Sequence, residues 1–284
     1  MQFCQSTAEL FVPDGAPLPQ ALARTTHLGI GAHQDDLEIM AVHGILECYR
    51  QKGRWFTGVV VTDGAGSPRS GRYGRYTDSK MVQARQREQR QAAVVGEYAA
   101  AIQLAYPSAP LKDPSAMEPV NDLIQILEAT APEVVYTHNL ADKHDTHVAV
   151  ALRLIQALRS LPKAKRPAKV YGMEVWRDLD WMVDNDKVAL DVSGNTHLQA
   201  ALVGVFDSQI AGGKRYDLAA LGRRRAHATY HASHGVDQAS GLDFAMDLTP
   251  LMEKPALDPL LYVEAHVQRL AEDIRARFRR VRGG

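Results

Sequence analysis

The sequence predicts a doubly wound α/β fold built on a mostly parallel sheet. Three observations predict it. Short apolar runs alternate with longer runs of helical spacing from about residue 26 to about residue 176. The first strand–helix–strand passage is complete within about forty residues, the length of one βαβ unit. Polar segments rich in His and Asp directly follow two of the strands, and open parallel sheets bind ligands outside the carboxyl ends of their strands.

Residues 1–24 form an N-terminal extension with a turn-rich PDGAPLP stretch. Residues 25–284 form a single α/β domain with a C-terminal elaboration from about residue 180. The apolar run ending at Ala32 is a buried strand, and His33 to Asp36 breaks it. Leu37, Ala41, Val42, Ile45, Leu46 and Tyr49 then recur at helical spacing, and Gly53 closes the helix. Phe56–Thr62 is the second strand. Residues 63–79, rich in Gly, Ser, Arg and Tyr, form a substrate-facing loop. A helix over 80–95, a short strand over 98–105, an amphipathic helix over 117–130 and a strand over 133–137 follow. After the polar segment 138–146 come a helix over 148–158 and a strand over 169–176. This alternation makes the architecture Rossmann-like. The C-terminal segment is less regular, with helices expected over 198–209, 218–230 and 264–279.

Composition narrows the function classes. The 284 residues carry 33 basic and 33 acidic side chains, a formal net charge of zero, which argues against a bulk electrostatic grip on nucleic acid. Cys4 and Cys48 allow at most one disulfide, and no CxxC or CxxH cluster offers a cysteine zinc site. No membrane span and no signal peptide are expected, so a cytoplasmic protein is the default. The expected partner is a small molecule, and the sequence leaves room for a homo-oligomer.

Two segments carry the chemistry: Gly31-Ala32-His33-Gln34-Asp35-Asp36-Leu37-Glu38 and Thr137-His138-Asn139-Leu140-Ala141-Asp142-Lys143-His144-Asp145-Thr146-His147. A catalytic zinc takes three N and O ligands and keeps one position open. His33 and Asp36, three apart, converge on one ion, and His147 supplies the third ligand from the second loop. Asp35 is then free to take a proton from water that the metal acidifies. His144 is placed to donate to an oxyanion, with Asp142 or Asp145 setting its tautomer. The bland reading of the first segment is a helix cap, since Asp favours helix starts.

The two segments resemble the motifs A-H-x-D-D-x-E and D-x-H-x-x-H of the PIG-L/LmbE-like zinc-dependent de-N-acetylases. The resemblance implies a metal-dependent amidohydrolase that removes an acetyl group from an N-acetylated sugar or sugar conjugate of the N-acetylglucosamine type. It implies Zn2+ on His33, Asp36 and His147; the same ligands also admit iron or cobalt. It implies Asp35 as general base and His144 as oxyanion donor. Arg85-Gln86-Arg87-Glu88 and Ser208-Gln209 match weaker family features, and by this resemblance Arg85 reaches the substrate; Asp142 is counted with it. Gln34 stands where Pro is common and Asp145-Thr146 where Pro-Asp is common, and both departures leave every ligand in place. A zinc hydrolase of another amide or ester, and a non-catalytic sugar- or metal-binding protein on the same fold, are the competing readings.

The remaining histidines are given lesser roles. His43 is expected to be a helix residue without function, and His138 to end its strand facing solvent. His227, His231 and His234, after Arg223-Arg224-Arg225, mark a surface segment with some prospect of substrate contact. Arg69, Arg72 and Arg75 are available to a polar or anionic substrate.

Overall fold

A computed structural model describes residues 1–283. The N-terminal segment contributes β1 (Glu9–Phe11) and α1 (Leu18–Ala23). The central alternation runs β2 (His27–Gly31), α2 (Asp36–Met40), α3 (Val42–Cys48), β3 (Phe56–Thr62), α4 (Asp78–Val95) and β4 (Ala100–Tyr106). It continues through α5 (Ser108–Lys112), α6 (Glu118–Thr130), β5 (Val134–His138), α7 (Asp145–Ser160) and β6 (Lys169–Met173). Then follow β7 (Lys187–Asp191), α8 (Thr196–Gly204), α9 (Asp207–Ile210), α10 (Tyr216–Tyr230), β8 (Leu242–Asp247), α11 (Thr249–Glu253) and α12 (Pro259–Arg282).

All eight strands join one sheet in the order β1-β4-β3-β2-β5-β6-β8-β7. From β4 to β6 each neighbouring pair is parallel; β1 joins β4, and β8 joins both β6 and β7, antiparallel. The chain leaves β2 towards β3 and β4, then returns to β5 on the other side of β2. The gap between the carboxyl ends of β2 and β5 is therefore a topological switch point, where successive connections diverge and leave a crevice.

Both faces of the sheet are covered. Leu28, Ile30, Val59, Ile102 and Val135 pack with Leu123, Leu127, Leu154 and Leu158 of α6 and α7. Phe56, Val60 and Tyr136 pack on the other face with Leu37, Met40 and Ile45 of α2 and α3 and with Leu198 and Leu202 of α8. That second face needs a glycine in β2. A Cβ on Gly29 would lie 2.6 Å from the Phe56 ring and 3.0 Å from Leu37, so the bare backbone lets α2 sit down on the strand.

The structure corrects several boundaries. The N-terminal extension adds an edge strand, Glu9 to Phe11 beside Gln103 to Ala101. The helix expected from Leu37 breaks at Ala41 (φ −103°, ψ 19°) into α2 and α3. The helix expected over 198–209 is two, α8 and α9. The C-terminal elaboration is partly sheet, since β7 and β8 extend the same eight strands. Cys4 and Cys48 are unpaired. No described helix is long and apolar enough to cross a membrane.

Candidate metal centre and cleft

The two motifs meet at the switch point. β2 ends at Gly31, and the chain turns sharply so that Asp36 opens α2. Asp35 makes that turn with φ 90° and ψ −31°, a conformation sparsely populated by residues other than glycine. Gln89 Oε1 accepts the Asp35 N–H (3.4 Å). Gln34 is buried beneath, its Nε2 donating to the Thr62 carbonyl and to Gln103 Oε1 (both 3.3 Å). Glu38 is wholly buried and accepts from Tyr98 Oη (2.7 Å) and Gln89 Nε2 (2.9 Å), so this part of the motif ties α2 to α4 and to the turn before β4.

Three donor atoms converge. His33 Nδ1 lies 3.2 Å from His147 Nε2 and 3.3 Å from Asp36 Oδ2, and the last two atoms are 3.5 Å apart. The edge of a tetrahedron around an ion with bonds of about 2.0–2.1 Å is about 3.3–3.4 Å, so the trio fits one divalent cation. The His33 N–H donates to Asp36 Oδ2 (2.6 Å) and orients it. Burial works against the Asp36 charge, yet the rings of His147, His138 and His33 hold its carboxyl well below the usual range. Burial lowers His147 to about 4, so its ring is neutral and its lone pair free for a metal.

Asp142 takes a different place from the one expected. Its Oδ1 accepts the His144 N–H (2.9 Å), and its Oδ2 accepts the Trp176 N–H (3.1 Å) and lies 3.5 Å from His147 Nδ1. It backs His147 and does not line the cleft. His144 caps α7, its Nδ1 accepting the Thr146 N–H (3.3 Å), so the ring proton resides on Nε2. Burial lowers the His144 pKa.

His138 is the residue that sequence reasoning misplaced. β5 runs one residue further than expected, and His138 follows Val134 and Tyr136 on one side of the strand. It is fully buried, its ring is stacked on His147 with centroids 3.8 Å apart, and its Nε2 accepts the Ala32 N–H (2.8 Å). Continuing the strand alternation by one step would have found it. Two further groups of atoms lie close enough to share an ion: His33 with His144 and His147, and Asp36 with His138 and His147. The Ala32 N–H already occupies the lone pair that His138 Nε2 would need for ligation, which favours His33.

Beside the three donor atoms opens a cleft of about 430 Å³, lined by His33, Asp35, Asp36, Arg85 and His144 among others. Burial pushes Asp35 up to about 7, against the opposing pull of the Arg85 guanidinium. Arg85 is itself buried. It donates to the Gln34 carbonyl, and its Nη1 is 3.4 Å from Asp35 Oδ2. Glu88 of the same helix accepts from the N–H (2.7 Å) and hydroxyl (2.6 Å) of Ser208, while the next residue, Gln209, lines the cleft. The two weaker sequence features thus meet each other.

The arginines of the 63–79 loop do not face the cleft. Arg69 pairs with Asp78 (2.6 Å) and Arg72 with Asp207; Gly64, Gly66 and Ser67 of the loop form the wall instead. The cations at the mouth are Lys112 and Lys214, which sequence reasoning missed, beside an aromatic wall of Trp176 and Tyr216. Lys214 Nζ stands 4.8 Å from the Trp176 ring centre. The 223–234 segment is also remote. His227 is buried on Phe244, with ring centroids 4.0 Å apart, and Arg224 donates to the carbonyls of Glu38 (3.1 Å) and Ile39 (2.9 Å) at the end of α2. His43 pairs with Tyr136 Oη (2.9 Å).

No curated protein matches the chain. Among solved structures it is similar to GalB, the 4-carboxy-2-hydroxymuconate hydratase from Pseudomonas putida. The identity is 17% over 79% of this chain and 95% of that one, with a TM-score of 0.60. The conserved protein TT1542 from Thermus thermophilus is 22% identical over 76% of this chain and 92% of its own, with a TM-score of 0.56. N,N'-diacetylchitobiose deacetylase from Pyrococcus horikoshii is 17% identical over 80% and 85%, also with a TM-score of 0.56. At such identities the likeness concerns the fold, and a fold shared by a hydratase and a deacetylase does not select a reaction. Residues 28–158, which contain both motifs, match the family described as PIG-L: GlcNAc-PI de-N-acetylase. The likeness to that family of de-N-acetylases is thus carried by the segment that holds both motifs.

Proposed function

We propose that the chain removes an acetyl group from an N-acetylated sugar or sugar conjugate of the N-acetylglucosamine type, with Zn2+ held by His33, Asp36 and His147. The observation that carries this reading is the convergence of those three donor atoms, 3.2–3.5 Å apart, beside a cleft that also holds Asp35 and His144. When bound, the ion would polarise the acetamide carbonyl and acidify water.

The chain's own groups supply the rest. Asp35 accepts a proton from the attacking water, and its lifted pKa suits it to pass that proton to the departing amine. His144 Nε2–H donates to the oxygen on which negative charge develops. Arg85 keeps Asp35 oriented and charged, and Asp142 fixes the ring of His147. Trp176 and Tyr216 offer apolar faces to a sugar ring, and Lys112 and Lys214 favour a substrate with anionic or strongly polar groups beyond the acetamide. The test is acetate release from a panel of N-acetylated sugars and simple acyl amides, with and without chelator. Chelator-sensitive release from the sugars supports the reading; turnover confined to other amides or esters replaces the substrate; no turnover of any of them overturns it.

A further inference from the structure

α12 is held to the body by one face and offers a second, apolar face to solvent. Tyr262, His266 and Arg269 hold it. Tyr262 Oη donates to the Asp247 carbonyl (2.7 Å), His266 Nδ1 lies 3.3 Å from Asp186 Oδ2, and Arg269 pairs with the same carboxylate. At about 100° per residue these three side chains share an arc of about 60°. Leu260, Val267, Ile274 and Val281, spaced by sevens, share another arc of about 60° with Phe278, centred about 120° away from the first. All five are exposed, from 45% at Ile274 to 87% at Val281. An apolar seven-residue repeat is the seam of a helix that pairs with another helix.

The charges on α12 say which helix and in which direction. Its first part carries Glu264, Glu272 and Asp273 against Arg269; residues 274–282 carry Arg275, Arg277, Arg279, Arg280 and Arg282 and no acid. A parallel copy would set arginine against arginine. An antiparallel copy sets each basic end against an acidic one. The register that pairs the seam with itself places Leu260 opposite Val281 and Val267 opposite Ile274, and it leaves Glu264 and Arg275 on the same flank of the seam, two residues out of step. Leu260 also lines an apolar groove of about 360 Å³ with Leu140, Val148 and Leu152, continuous with the seam.

We infer that a second copy of this chain covers this face, by antiparallel pairing of the two α12 helices. An anionic lipid surface would suit the arginines but would repel the three acids on the same helix, and it has no use for a seven-residue spacing.

Sedimentation equilibrium and light scattering on the full chain test this, with phosphatidylserine vesicles as a second arm. The expected result is a particle of twice the 31.3 kDa chain mass. The double variant Val267→Glu/Ile274→Glu is expected to be monomeric with an unchanged circular dichroism spectrum, since both positions are exposed. Glu264→Arg and Arg275→Glu should each weaken the dimer at least about tenfold, and the two combined should restore it. A monomer at every soluble concentration overturns the inference. So does a dimer indifferent to the Val267/Ile274 pair, a failure of the charge swap to restore, or vesicle binding by a monomer.

Discussion

Arg85 Nη1 lies 3.4 Å from Asp35 Oδ2, and both side chains are buried. The carboxylate sits on a residue with φ 90°, at the turn between strand and helix, and the guanidinium is its nearest compensating charge from the protein. Arg85 lines the cleft, as expected of a residue that reaches substrate, and stands beside Asp35 as well. Arg85→Gln should therefore lower kcat/KM by at least about tenfold, equal to roughly 1.4 kcal/mol of transition-state stabilisation. Metal content, measured by elemental analysis, should be unchanged.

Asp35→Asn is expected to keep the metal and lose turnover by on the order of 100-fold or more, the usual scale for a general base. His144→Ala should also spare the metal while lowering kcat. Full activity in either purified variant, with one ion per chain, would remove that residue from the mechanism.

Asp142 touches the metal centre only through His147 and the two backbone amides it accepts. Asp142→Asn should weaken metal affinity by about 10- to 100-fold, the usual cost of losing a carboxylate behind a metal-binding histidine. Competition with a chelator of known affinity measures it. Saturating metal should restore part of the activity, whereas His147→Ala should not be rescued.

Lys214 stands at the cleft mouth over Trp176. Lys214→Gln should raise KM roughly twofold to fivefold for an N-acetyl sugar bearing phosphate or carboxylate, the scale of an exposed charge pair, and leave a neutral one nearly unaffected. Equal effects on both substrates would assign the residue to packing on Trp176 instead.

At the far end of β2, burial lowers His27 to about 4 from an ordinary 6.5, with the charges of His43 and Arg54 adding to the shift. Between those values the unfolded chain binds the proton and the folded chain does not. Stability from this group is therefore full above pH 6.5 and is lost as pH falls towards 4, by on the order of 3 kcal/mol in all and about 2 kcal/mol by pH 5. Urea titrations at pH 7 and pH 5 should show the decline, and His27→Gln should show less of it.

Much of this protein was legible in one dimension. The strands over 27–31, 56–62 and 134–138 announce themselves as short apolar runs, because a parallel strand covered on both faces has no solvent side to make polar. The candidate metal ligands were legible because the chemistry demands particular side chains at particular offsets, and a strand end followed by a helix start carries them together. What the sequence could not contain was distance. That Arg85 faces Asp35, that Arg69 and Arg72 are taken by Asp78 and Asp207, and that Lys112 and Lys214 stand at the mouth are decided by which loops the sheet order brings together. β7 and β8 show the same limit. Lys187–Asp191 and Leu242–Asp247 are short, interrupted by charge and about fifty residues apart; β7 is a strand because β8 lies beside it, and β8 because β6 and β7 flank it. His138 looked like a strand end open to water, and only the stacking of β5 beneath α7 turned it into a buried partner of His147. Local pattern determines which segments must be buried and which atoms can bind a metal; the assembled sheet decides which of those atoms meet.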